Sequence, residues 1–269
     1  MRASLKGEME MKIADKFEEL KEKKEAALIT YICAGDPDIE STKDIVYALE
    51  KGGADIIELG LPFSDPVADG PVIQAASVRA IQNGMDTDSY FKLISDLETD
   101  IPLVCMTYYN LVYAHGIKEF VSDCAKSGIC GLIIPDLPVE EAGELIAESR
   151  EKGVANIFMV TPNTPADRIE KVSQNTSGFI YVVPRMGVTG GKTELGESLK
   201  VQLDGIKSNK PKAVGFGIST KEQAEEAVKD GADGVIVGSA LVNIVASGDN
   251  VLERIESLTR DIKSGCKKA

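Results

Sequence analysis

Eight short apolar runs rich in Ile, Val and Leu recur along the chain, at 27–34, 54–61, 102–108, 131–135, 155–161, 178–183, 213–218 and 234–237. Each is continuously apolar rather than alternating. A strand of that kind hides both faces, as in a parallel sheet covered by helices. Polar turns and amphipathic helical segments separate the runs. The segment 39–51 puts Ile45, Val46 and Leu49 on one face; 139–152 places Leu145 and Ile146 among Glu and Arg; 221–230 carries Ala224, Ala227 and Val228. Gly53, Gly128, Gly153 and Gly231 stand between a helical segment and the next run, where a left-handed backbone closes a helix at little cost. Thr164-Pro165-Ala166-Asp167 reads as a capped helix start with Pro165 at the first helical position.

Eight strand–helix units with no linker, in 269 residues, predict an α/β fold: a (β/α)8 barrel forming a single domain over 1–269. Two helices are extra to the repeat. The one at 11–24 is placed to cover the barrel bottom, and the one at 87–98 lies between the second and third strands. Residues 1–10 and 266–269 are expected to fray. An open doubly wound sheet is the alternative, but it would carry a glycine fingerprint after the first strand. Here that strand ends Cys33-Ala34-Gly35-Asp36-Pro37.

A net charge of −13 leaves no broad basic face, which argues against nucleic acid or an acidic membrane as partner. The lysines at 21, 23 and 24 alternate with glutamates and read as a solvated helix face. The five cysteines form no C-x-x-C pair, and Cys33 and Cys105 lie within apolar runs, as small buried hydrophobes in a reducing compartment do. The first residues lack the apolar core of a signal peptide, and no apolar run is long enough to span a bilayer. A cytoplasmic location is expected.

In a barrel of this type the chemistry sits at the C-terminal ends of the strands. Glu58 lies near the end of the second strand, between Ile57 and Leu59. Burying a carboxylate there is costly without a partner. Two readings stand at this point: a proton-transfer group whose pKa burial has raised, or one half of a structural ion pair. The loop that follows carries Asp65 and Asp69. Asp65 reads as a turn former before Pro66, and Asp69 as a candidate functional carboxylate just ahead of a helix starting near Gly70-Pro71.

The late strands carry a second signal. The sixth leads into Gly187-Val188-Thr189-Gly190-Gly191, which suits a closing lid or an anion-binding backbone loop. The seventh ends Gly215-Phe216-Gly217-Ile218-Ser219 and the eighth Gly238-Ser239-Ala240, each leading into a helix. Glycines at helix starts let N–H groups approach a phosphate. Tyr108, Tyr109 and Asn110 close the third strand, where Tyr108 is either a pocket wall or core. His115, the single histidine, reads as a surface or capping residue. No His or Cys cluster suggests a metal, and no serine-nucleophile frame is present.

Taken together, the run from Glu58 through Leu59-Gly60-Leu61-Pro62-Phe63-Ser64-Asp65-Pro66-Val67-Ala68-Asp69 to Gly70-Pro71 resembles a signature of the tryptophan synthase alpha subunits. Thr30-Tyr31-Ile32-Cys33-Ala34-Gly35-Asp36-Pro37, Tyr108-Tyr109-Asn110, Pro135-Asp136-Leu137-Pro138 and the late glycine motifs support it, over about residues 11–265. The resemblance implies a lyase that cleaves indole-3-glycerol phosphate to indole and glyceraldehyde 3-phosphate. It implies Glu58 as general acid/base, Asp69 on the indole N–H, and Tyr181 beside the glutamate. It further implies Gly190, Gly217, Gly238 and Ser239 on the phosphate, with Thr189, Tyr108 and Phe216 as lid and pocket residues. No metal or cofactor is implied in this chain. Pyridoxal phosphate is expected on a beta subunit, the partner in an alpha2-beta2 heterotetramer. Pro184 departs from the serine that many relatives carry beside the arginine, and stiffens the entry to the lid. Two other readings remain: a different sugar-phosphate barrel using another acid/base pair, and a non-catalytic subunit that binds indole-like ligands.

Overall fold

The computed structural model describes residues 8–184, 194–215 and 217–268. Helix α1 (Glu8–Glu22) precedes strand β1 (Ala27–Cys33) and α2 (Ile39–Gly52). Strand β2 (Ile56–Gly60) is followed by α3 (Pro71–Gln82) and α4 (Thr87–Ser95); β3 (Leu103–Met106) by α5 (Tyr109–His115) and α6 (Ile117–Ser127). Next come β4 (Ile129–Ile133), α7 (Gly143–Lys152), β5 (Ala155–Ile157), β6 (Met159–Val160) and α8 (Ala166–Asn175). The last third holds β7 (Ile180–Val182), α9 (Glu194–Gly205), β8 (Lys212–Val214), α10 (Lys221–Lys229), β9 (Gly234–Val237), α11 (Ser239–Ser247) and α12 (Val251–Ser264).

All ladders are parallel, in the order β5-β4-β3-β2-β1-β9-β8-β7-β6. The expected barrel is present, with one change of count: the fifth strand is two. β5 pairs with β4 and β6 pairs with β7, so the segment changes partner at Phe158 and carries the chain across the seam. Stagger between strands is what lets a sheet close on itself, and this segment absorbs it. The fourth strand also starts at Ile129 rather than 131. A register shift between Leu103 and Val104 skips Cys130, whose thiol reaches the Leu103 carbonyl at 3.2 Å.

Every residue of β1, β2, β3, β4 and β9 is buried, as the continuous apolar runs require. Pairing carries one inward row around the wall: Tyr31 opposite Glu58, Glu58 opposite Val104, Val104 opposite Gly131, Gly131 opposite Ala155. At the bottom, fully buried Ile13 of α1 packs over Gly131 and plugs the barrel.

Three local expectations change. α7 begins at Gly143, because Pro138 opens a turn closed by the Glu141 N–H on its carbonyl. α8 begins at Ala166 with Pro165 one place outside it, and the Thr164 hydroxyl accepts the Thr161 N–H instead of capping the helix. Of the ends expected to fray, residues 1–7 and 269 lie outside the described residues, and the described parts are held. Residues 8–10 are the first turn of α1, and the tail 266–268 is tied in. Cys266 is fully buried and its carbonyl takes the Ala26 N–H at 2.7 Å, while Lys268 pairs with Asp233 at 2.8 Å. Next to it Lys263 bridges Asp55 and Glu25 at 2.7 and 2.9 Å. Among the described residues no helix is long and apolar enough to cross a membrane.

Candidate active site

A cavity of about 610 Å3 opens at the C-terminal end of the strands. Glu58 projects into it from β2, Tyr31 from β1 and Tyr181 from β7, with Asp69 above them on the β2–α3 loop. Glu58 is 1% exposed, and its Oε2 has no hydrogen-bond partner among the described residues. Among the described residues it shares in no ion pair. Burial first, and then the nearby Asp69 charge, push its pKa up to about 8.

Asp69 is half-buried. Its N–H donates to the Pro66 carbonyl at 3.0 Å, and Gln74 Nε2 holds its own carbonyl at 2.8 Å. Burial pushes its carboxyl up to about 6, and the neighbouring Tyr108 hydroxyl pulls the other way. Gly70 and Pro71 then start α3. Asp65 is the exposed turn residue expected of it, bonded to Ser64.

The two phenols that flank Glu58 need glycines to fit. A Cβ on Gly215 would collide with the Tyr181 hydroxyl, and would stand 2.6 Å from the ring carbon Cζ. A Cβ on Gly60 would likewise meet the Tyr31 hydroxyl and stand 2.9 Å from that ring. Gly215 therefore seats a tyrosine. Tyr31 is the wall residue that motif reading missed. Its signal was present in the register, since it sits opposite Glu58 on the neighbouring strand.

Across the mouth, Gly217, Gly238 and Ser239 line the same cavity. The two glycine-led helices there are not alike. At α10, Thr220 and Gln223 form a reciprocal cap, and the Gln223 side chain also takes the Ser219 N–H at 2.8 Å. At α11, Gly238 stands at the cap with no side-chain hydrogen bond among the described residues, so the first-turn N–H groups at Ser239 and Ala240 carry no side-chain cap. Gly190, Thr189 and Phe216 lie outside the described residues.

Tyr108 stands behind Asp69 rather than in the cavity wall; it is buried, with its ring stacked on Phe63. His115 is not a free surface residue: its Nε2 meets Asp123 at 3.0 Å and its ring packs against Phe91 and Phe120. All five cysteines are buried and unbridged. No group of metal-ligating side chains occurs among the described residues.

The model of the tryptophan synthase alpha chain family matches residues 17–268. The tryptophan synthase alpha chain of Methanosarcina mazei is 56% identical over 258 residues, covering 96% of this chain and 95% of its own. The crystal structure of the alpha subunit from Legionella pneumophila superposes with a TM-score of 0.87 at 32% identity, over 95% of this chain and 98% of that one. A chain from the tryptophan synthase complex of Pyrococcus furiosus superposes with a TM-score of 0.82 at 37% identity, over 90% of this chain and 99% of that one.

Proposed function

This chain belongs to the tryptophan synthase alpha chain family, and from that premise we propose how its cavity does the family's work. It is a carbon–carbon lyase of tryptophan biosynthesis that cleaves indole-3-glycerol phosphate into indole and glyceraldehyde 3-phosphate. The reaction is a retro-aldol cleavage. Indole C3 takes up a proton, the hydroxyl on the adjoining side-chain carbon gives one up, and the electron pair of the broken carbon–carbon bond returns to the ring.

Glu58 starts protonated, because its pKa lies above neutrality, and delivers that proton to C3. The carboxylate left behind takes the hydroxyl proton as the bond breaks, which restores the acid. Asp69, with its lower pKa, is ionised at neutral pH. It accepts the ring N–H and stabilises the positive charge that C3 protonation creates there. Tyr181 walls Glu58 from water on one side. Gly217, Gly238, Ser239 and the open end of α11 hold the phosphate, fixing the scissile bond against both carboxylates. Gly190 and Thr189 complete the phosphate site and lid in this reading, and Phe216 the pocket.

The observation that carries the proposal is a buried carboxylate with no cation paired to it among the described residues, facing the same cavity as an uncapped helix start. The test is indole release from indole-3-glycerol phosphate. Glu58→Gln abolishes it while fold and substrate binding persist. Unchanged turnover would leave the non-catalytic binding subunit as the better account.

The partner is a beta subunit, in an alpha2-beta2 complex, and the pyridoxal phosphate belongs to that subunit. No lysine among the described residues lines this cavity, so its wall offers no amine for a Schiff base. We place the docking surface over the β2–α3 loop and α5, where Val67 and Tyr113 are 82% and 70% exposed. The cytoplasm suits five unbridged cysteines.

A further inference from the structure

We propose that Arg254 is a specificity residue for phosphorylated ligands, a cation that draws the phosphate group toward the start of α11; the inference rests on the reading of that helix start as the phosphate site. The cavity that holds Glu58 and Asp69 does not end at Ser239. It continues outward, where Asn243 stands one turn beyond Ser239 on α11, and Arg254 and Leu258 line it from successive turns of α12. Arg254 is the one cation among the described residues that line this cavity.

Its guanidinium is held in place but only partly used. Nη1 donates to the Ser247 hydroxyl at 2.7 Å and to the Asp249 carbonyl at 3.1 Å. A guanidinium has five N–H groups. Those on Nε and Nη2 meet no acceptor among the described residues, and no described carboxylate pairs with the group. The side chain is exposed, and its charge persists at any working pH. Ser247 closes α11 and Ser239 opens it, which puts the guanidinium about 12 Å from the helix start at the usual rise. Over that span a charge acts on a phosphate through the field and not by contact, so its effect is moderate and screened by salt. The sign of that effect is what matters. The chain as a whole carries −13, and Asp69 adds a negative charge to the wall. Both repel a phosphate dianion. A fixed, unpaired cation at the outer end of the cavity opposes that repulsion along the approach. An uncharged ligand gains nothing from it.

Calorimetry on the full chain tests this with the two halves of the substrate, glycerol 3-phosphate and indole. At low ionic strength, Arg254→Gln weakens glycerol 3-phosphate binding roughly threefold and Arg254→Glu roughly tenfold, while Arg254→Lys stays within about twofold of wild type. These differences fade by about 0.5 M salt, and indole binding is the same in all four proteins. A structural tie between α11 and α12 would show another pattern. Lys would fail along with Gln because it lacks the fork, indole binding would move too, and salt would not level the series. That pattern, or a glycerol 3-phosphate affinity indifferent to the charge at position 254, would overturn the proposal. Ser239→Asp tests the reading beneath it, by setting a negative charge at the helix start. It should weaken glycerol 3-phosphate binding more than tenfold at any salt concentration. Wild-type affinity in that variant would overturn the phosphate site itself, whatever the Arg254 series shows.

Discussion

Glu58 and Asp69 are both pushed upward by burial, but to different heights, about 8 and about 6. The interval between them is where the first can give a proton while the second holds its charge. We expect kcat/KM for indole-3-glycerol phosphate to be greatest in that interval. It falls below about 6 as Asp69 gains a proton, and above about 8 as Glu58 loses one. A pH–rate profile measures both limbs. Stability should follow Glu58 as well. The folded protein keeps the proton up to about 8, whereas an exposed glutamate releases it near 4.5. The group's contribution is thus fully present below 4.5 and is lost as pH rises through about 8. Gln does not titrate. Relative to wild type, Glu58→Gln therefore gains stability between pH 5 and pH 9, by up to about 4 kcal/mol, in denaturant melts run across that range. At this scale much was legible. A carboxylate between Ile57 and Leu59 already signalled a costly burial. That no described lysine or arginine pairs with it was not legible, since every one in the chain was a possible partner.

At the scale of elements, the barrel wall works by matching large inward side chains to glycines on neighbouring strands. Gly60→Ala tests this without disturbing the backbone conformation of β2. The added methyl drives the Tyr31 ring into the cavity, so KM for the substrate rises several-fold, and the variant is destabilised by about 1–3 kcal/mol from overpacking. Steady-state kinetics and a thermal melt read the two effects. The C-terminal strap is a second element whose worth is measurable. Ending the chain after Gly265 removes fully buried Cys266, the bond to Ala26 and the Lys268–Asp233 pair. We expect a loss of about 2–4 kcal/mol with site chemistry retained, since the strap lies at the opposite end of the barrel from Glu58. Reading along the chain treated α10 and α11 as the same device, because each follows a glycine-led strand end. Gln223 made the difference: its side chain folds back on Ser219 and Thr220 and closes one of the two helix starts.

At the scale of the molecule, exposed Val67 and Tyr113 lie on the segments that follow β2 and β3. Tyr113 is 70% exposed on the short helix that begins beside Tyr108. Adding the beta subunit should raise the rate of indole release. Tyr113→Glu should blunt that stimulation and leave the isolated chain's own rate unchanged, as titration of one subunit with the other will report. The sequence by itself determined the parallel barrel, its extra helices and the two carboxylates. Those follow from signals that are local: runs without alternation, helical spacing, and a charged residue stranded among apolar ones. Only the tertiary structure decided what each of these meets. The Tyr31–Gly60 fit, the partner change at Phe158, the Ala68 N–H on the Tyr108 hydroxyl and the bridge from Lys263 to Asp55 join residues brought together by closing the barrel. Closure sets those distances through the register of every strand at once, and no stretch of chain read alone contains it.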